Sequence, residues 1–460
     1  MIGSIAMKRA LTVSELRDPV HGFVRFDSDE VKVVNSPEFQ RLRNIHQLAL
    51  TYNVYPGASH KRFEHCLGVM ETASRIYDVV TNDRNVLSDS EIKSIVPKVG
   101  DFDWNYWRRV LRMAAICHDL GHLPFSHAAE NLLPDGYSHE KLSYSIITGP
   151  RMEQTWKDLK IQATDVAKIA VGPKHCTEAL SVWESILSEM IIGDTFGADR
   201  IDYLLRDSHH AGVQYGRFDH YRLIDTIRIL PKADAKPPEV NPAQIAFEFE
   251  NAARPKPDQS KEPTLGIELG GLQSSEALLW ARYFMWTQVY LHHVRQVYDL
   301  HLADFLKQWL SGGKFSIDPA DHLQLTDNEV NAAISAAARD PSVAGHSAAK
   351  CIIGRGHFRR LYQDNFRDRS KNLKAFDLLR DALVARYSAD KIKFKRISQK
   401  SEGKQFPVLM SSGDCENSIN LSPTLASIPV VSSALIFVHP EVREDAISWI
   451  STEKERILTQ

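Results

Sequence analysis

The sequence predicts a mainly α-helical fold with small β-hairpin excursions and a smaller α+β region toward the C-terminus. Three observations carry this. Apolar residues recur at three- and four-residue spacing through most of 35 to about 230 and again over 274–310. Strict alternation is confined to short stretches such as Gln244–Glu250 and Thr264–Leu269. The segment 391–440 reads as strands and ends in the apolar run Leu435-Ile436-Phe437-Val438 before Pro440.

Taken in order, residues 1–30 read as extended or hairpin structure. A helix opens after Gly57-Ala58-Ser59-His60-Lys61-Arg62 and buries the stripe Leu67, Met70, Ala73, Tyr77 and Val80. Another carries Val110, Leu111, Met113, Ala114, Ala115 and Cys117 on a wide apolar face that His118 continues, and Gly121 and Pro124 stop it, leaving His122 in an irregular turn. Asp194–His210 forms a helix with Asp199 and Tyr203 on one face and Asp207 two turns beyond Asp199. Pro231–Pro238 interrupts, and a charged connection from Ala253 to Pro263 links the two alternating stretches. Residues 325–388 read as helical. The chain is therefore expected to divide into residues 1–310, with a β excursion at about 240–270, and an α+β region over 311–460.

Composition narrows the function. With 460 residues, 43% of them hydrophobic, the chain can bury a sizeable core. The apolar runs are too short for a membrane span, the N-terminal stretch has no signal-like apolar segment, and Met7 offers a second start. Five scattered cysteines without CxxC spacing fit a reducing compartment, so a cytoplasmic protein is expected. A net charge of −2 gives no overall attraction to nucleic acid. The basic run Lys391–Arg396 reads as a strand alternating exposed cations with buried Ile392 and Phe394, the alternatives being nucleic-acid contact or an anionic effector site.

The chemistry concentrates in Cys117-His118-Asp119-Leu120-Gly121-His122-Leu123-Pro124-Phe125-Ser126-His127. An adjacent His-Asp pair with two further histidines suits a divalent Mn, Fe, Zn or Mg ion and needs ligands from elsewhere in the chain. His65, with Arg62 one turn before it, is one source, and the Asp199 helix is another. A metal flanked by arginine suits a phosphate substrate. His122 or His127 would move a proton near neutral pH. No P-loop pattern is present.

The order His65, His118-Asp119, Asp199 resembles the H…HD…D signature of the HD-domain phosphohydrolases. Further blocks are similar to the deoxynucleoside triphosphate triphosphohydrolase branch: Asp18-Pro19-Val20-His21-Gly22, Phe39-Gln40-Arg41-Leu42-Arg43, Pro56–His60, Arg62-Phe63-Glu64-His65, His118–His122 and Arg206-Asp207-Ser208-His209-His210. The resemblance runs from about residue 15 to about 310. It implies an HD-domain helical fold, with His65, His118, Asp119 and Asp199 holding a divalent metal (Mg, Mn, Fe or Zn). It implies that His122, His127 and His139 are the catalytic histidines around the scissile phosphate, and that Arg62 and Arg200 contact phosphate. Tyr203 would pack on the deoxyribose, Gln47 and Asp207 would bind its 3′-hydroxyl, and Tyr290, His292 and His293 would form a further pocket element. Gln288 stands where vertebrate members carry a phosphate-binding Arg.

The expected activity is metal-dependent hydrolysis of a deoxynucleoside triphosphate to the deoxynucleoside and inorganic triphosphate. The alternatives are an HD-type phosphodiesterase or nucleotidase acting on another nucleotide, and an inactive nucleotide-sensing or nucleic-acid-binding HD module. The resemblance also implies a homo-oligomer, dimer or tetramer, and an activating nucleotide. Residues matching the activator pocket include Gln40 and Arg43, whereas Asn35 and Ser14 replace an acidic residue and a lysine.

Overall fold

The computed structural model describes residues 13–88, 90–232, 262–398 and 403–459. Among these residues it is mainly helical, with three small sheets. The expected hairpin is present as strands Ser14–Asp18 and Gly22–Phe26, antiparallel. Gln244–Glu250 lies outside the described residues, while its expected companion forms strand Thr264–Glu268. That strand pairs antiparallel with Ile227–Leu230 and parallel with Pro407–Leu409.

The centre of the molecule is the helix Arg62–Val80, which packs against the helices Phe102–Cys117 and Ala198–Ala211. Its expected stripe, Leu67, Met70, Ala73, Tyr77 and Val80, is buried, and so is the run Val110–Cys117. Both helices are therefore held mainly by apolar burial, worth roughly 1.5–3 kcal/mol per large side chain. Gly68 makes the contact with Ala198–Ala211 close: a Cβ there would stand 1.9 Å from Asp202 Oδ1. Helix Ala198–Ala211 ends at Gly212, whose φ of 71° provides the left-handed cap.

Residues on both sides of 310 share cores. Phe406 and Val408 join the cluster built from the first helices, with the Phe406 ring 4.8 Å from that of Phe196. Val330, Ile334 and Ile352 pack with Phe125, Leu302 and Phe305.

The C-terminal sheet has the order Arg359–Gln363, Ser432–Val438, Ile392–Ser398, antiparallel throughout. Two expectations are corrected here. The helical reading of 325–388 is broken by strand Arg359–Gln363, a charged five-residue stretch whose conformation comes from its distant partner strand. The basic run Lys391–Arg396 is largely a strand with Ile392 buried and Arg396 exposed as expected, but Phe394 is 46% exposed under the Arg380 guanidinium, while Lys395 is half-buried. Asp299 and Asp304 on helix His293–Trp309 receive Lys395 and Lys393, so the cations face carboxylates.

Candidate active site

Three helix ends bring the metal-type residues together. His65 lies in the first turns of Arg62–Val80, His118 caps the C-terminus of Phe102–Cys117, Asp119 follows it, and Asp199 opens Ala198–Ala211. The helix dipoles favour this placement, an acid at an N-terminus and a cation site at a C-terminus. Ligand atoms of His65, His118 and Asp119 lie within 4.8 Å of one another. His65 Nε2 and His118 Nε2 stand 3.0 and 3.8 Å from Asp199 Oδ1. Both nitrogens are buried and make no well-formed hydrogen bond among the described residues. Two such lone pairs converging with two carboxylates are the donor set of a divalent cation, so the residues present fit the metal that the sequence implies.

Electrostatics keep these groups poised. Burial disfavours charge on His65, but in the absence of a cation Asp199 and Asp202 outweigh it and raise its pKa to about 9, so a metal binding at Nε2 would displace a proton to reach the lone pair. Burial likewise opposes ionisation of Asp119, yet Arg62, His118 and His122 hold its carboxyl well below the usual range. Arg62 is buried, bonded through Nη1 to Asp119 Oδ2 and through Nε to Ser126 Oγ at 2.9 Å. The expected phosphate contact is thus seated directly beside the candidate metal ligands.

Among the expected catalytic histidines, His122 and His139 meet: their rings stack at 3.9 Å, and His122 Nε2 is 3.2 Å from Asp119 Oδ1. Gly121 allows it, since a Cβ there would lie 2.1 Å from the His139 carbonyl oxygen. Glu130 Oε1 holds His139 Nδ1 at 2.5 Å. Burial lowers the pKa of both rings, but Glu130 and Glu140 reverse this at His139, which is raised, while Arg62 and His139 depress His122 further. His127 stands in the 3-10 turn Ser126–Leu132, and its side chain lies outside the described residues.

The expected sugar-binding residues line an adjoining wall. Asp207 is buried, with Oδ1 2.7 Å from His60 Nε2 and Oδ2 accepting from Tyr290 Oη at 2.7 Å. Tyr290 ends a π-helical turn, Trp286–Tyr290, and its ring meets Tyr203 edge-on at 6.2 Å. Gln47 Oε1 is buried without a hydrogen-bond partner among the described residues, as are Nε and Nη1 of Arg200, whose Nη2 lies 3.6 Å from Asp194 Oδ1. His292 and His293 stack on each other at 4.6 Å.

Several residues that shape the site have no assigned part in the sequence reading. Asp202 sits behind His65, and His60 braces Asp207. Asp327 accepts from the backbone N–H of His46 at 2.8 Å and of Phe125 at 2.7 Å. Phe125 and Ser126 both have positive φ, 57° and 56°, so Asp327 pins a strained loop between the metal residues and His127. The sequence signals beside them are the Pro56–His60 block, which ends in His60, and the Thr326-x-x-Glu329 capping box, which flanks Asp327.

A family model described as the HD domain matches residues 62–170, and one described as the HD associated region matches 259–396. An uncharacterized protein of Methanocaldococcus jannaschii is 32% identical over 284 residues, covering 62% of this chain and 47% of its own length. The human deoxynucleoside triphosphate triphosphohydrolase SAMHD1 is 32% identical over 244 residues, 47% of this chain and 36% of that protein. The chain thus spans about half the length, or less, of these curated relatives. A crystal structure of a hypothetical protein from Aquifex aeolicus superposes with a TM-score of 0.72 at 30% identity, covering 95% of this chain and 99% of that one.

Proposed function

Because the chain belongs to the HD-domain phosphohydrolase family, with deoxynucleoside triphosphate triphosphohydrolases among its relatives, we propose that it is a metal-dependent enzyme that hydrolyses a deoxynucleoside triphosphate to the deoxynucleoside and inorganic triphosphate. One observation carries this reading. A single helix, Ala198–Ala211, offers Asp199 to the unpartnered nitrogens of His65 and His118 and, two turns on, Asp207 to the Tyr290–Tyr203 wall. Eight residues of helix span about 12 Å, a length suited to a sugar and its α-phosphate.

His65, His118, Asp119 and Asp199 would hold the cation, which when bound neutralises phosphoryl charge and acidifies water. Arg62 stands against Asp119, and Arg200 has two buried, uncommitted N–H groups on the same helix as Asp199, so both supply charge to phosphoryl oxygens. The Glu130–His139–His122 stack provides a proton store: Glu130 favours the proton on His139, within reach of a leaving oxygen next to His122. Asp207, Gln47 and Tyr203 bind and orient the sugar. Under the same reading the protein is a cytoplasmic homo-oligomer with a nucleotide activator near Gln40 and Arg43, which are joined by an Arg43 Nε to Gln40 Oε1 hydrogen bond of 2.8 Å.

The test is a substrate screen with Mg²⁺ and Mn²⁺ against dNTPs, NTPs, cyclic dinucleotides and single-stranded DNA. Turnover of dNTPs with release of triphosphate is expected. Turnover of cyclic dinucleotides or single-stranded DNA alone would replace this reading with a phosphodiesterase, and release of orthophosphate from NTPs alone would replace it with a nucleotidase.

A further inference from the structure

Each metal-facing imidazole needs its other nitrogen fixed, because a ring that turns over presents N–H instead of a lone pair. His118 is fixed locally, with Nδ1 2.8 Å from the Ala115 carbonyl of its own helix. His65 has a different anchor. Its Nδ1 lies 2.8 Å from Asp202 Oδ2, and a carboxylate only accepts, so the proton sits on Nδ1 and the Nε2 lone pair faces Asp199 and Asp119.

Asp202 is itself fixed on every side. Arg206, one turn on, donates to it through Nε at 2.8 Å and Nη2 at 2.9 Å. His21 Nε2 meets Oδ1 at 2.6 Å. Asp18 closes the network, accepting from Arg206 Nη1 at 2.7 Å and from the backbone N–H groups of Val20 and His21 at 2.9 and 2.8 Å. His65, Asp202 and Arg206 have no exposed surface, and Asp18 and His21 are buried. The Gly68 position leaves the space this pair occupies, since a Cβ would overlap both Asp202 Oδ1 and Arg206 Nη2.

We infer that Asp202, held by Arg206 and by the N-terminal hairpin through His21 and Asp18, is the positioning residue for the metal ligand His65, fixing its tautomer and ring plane. The inference rests on the metal reading above. Burying an Arg–carboxylate pair in a helical core gains little stability in itself, so the network is better explained by what it orients. Asp202 faces the Nδ1 side of His65, away from Asp199, and is therefore an orienting group and not a ligand.

Mn²⁺ titration followed by electron paramagnetic resonance tests this in the full chain, with folding checked by circular dichroism. Asp202→Asn keeps the shape but can give its single oxygen to Arg206 and its NH₂ to His65 Nδ1, which reverses the tautomer. A 10- to 100-fold weaker Mn²⁺ Kd in a folded protein is expected. His21→Gln leaves the Arg206–Asp202 pair in place and should weaken binding in the same direction by less. This second variant carries the test if Asp202→Asn does not fold. Wild-type Kd in either folded variant overturns the inference while leaving the metal reading intact; wild-type protein that takes up no Mn²⁺ removes both.

Discussion

His65 Nε2 stands 3.0 Å from Asp199 Oδ1, joining the first turns of two helices that are far apart in sequence. The contact lacks hydrogen-bond geometry although the imidazole is fully buried. A cation between them resolves that cost. His118→Ala or Asp119→Ala should therefore lose the metal and hydrolysis together, yet remain folded, because the surrounding helices bury their own apolar faces. Elemental analysis of the purified variants decides it: stoichiometric metal with wild-type turnover would sink the ligand assignment.

The second prediction concerns the product. Arg62 adjoins Asp119, and Arg200 follows Asp199 directly, so positive charge gathers at the metal end of the site. Water directed to the α-phosphorus releases triphosphate intact, whereas attack at the γ-phosphorus releases orthophosphate. Anion-exchange chromatography separates the two. Accumulating deoxynucleoside diphosphate would refute the triphosphohydrolase reading.

A third outcome is a dependence of stability on pH. His301 accepts the Phe358 N–H at 3.2 Å, linking the helix His293–Trp309 to the C-terminal sheet. Burial, with Lys393, His357 and His439 nearby, pushes its pKa down to about 3. The unfolded chain takes up that proton near pH 6.5, so the stability from a neutral His301 is present above that pH and is lost as pH falls toward 3. The slope is about 1.4 kcal/mol per pH unit for one proton. His301→Gln keeps an acceptor without a titrating ring, and its thermal unfolding should fall less than wild type between pH 6.5 and 5.5. Equal losses would show that His301 is already protonated in the folded protein.

The candidate ligands were legible because each carries distinctive chemistry at a helix end, and the apolar stripe before His118 already pointed it inward. Their supports were not. Nothing in the spacing of their own helix marks Asp202 and Arg206 as buried, yet the face they occupy is covered by Gly68 of another helix and by His21 of the hairpin. Burial of that face depends on contacts between distant segments, which leave no periodicity. Strand Arg359–Gln363 and the half-buried Lys395 failed to show for the same reason, since a pairing strand and the carboxylate of Asp299 decide them. Helices whose conformation follows from their own apolar spacing, such as Arg62–Val80, agree with the sequence closely.

The last prediction is sugar selection. Asp207 is already braced by His60 and Tyr290, one on each oxygen, and each oxygen keeps a further lone pair for a 3′-hydroxyl. Gln47 adds a buried carbonyl with no partner among the described residues, and the Tyr203 ring stands edge-on to Tyr290. A wall built this tightly should penalise a ribonucleotide's 2′-hydroxyl through sterics and unpaired polar groups. Losing one hydrogen bond to a charged group costs roughly 1.5–3 kcal/mol, so Asp207→Ala should lower kcat/KM for a dNTP by about 10- to 150-fold. Tyr203→Ala removes the ring and should narrow the gap between dNTP and NTP. Steady-state kinetics on paired deoxy and ribo substrates measure both effects. Equal wild-type turnover of NTPs and dNTPs, with both rates unchanged in Asp207→Ala, would mean that Asp207 braces the helix core and that the sugar binds elsewhere.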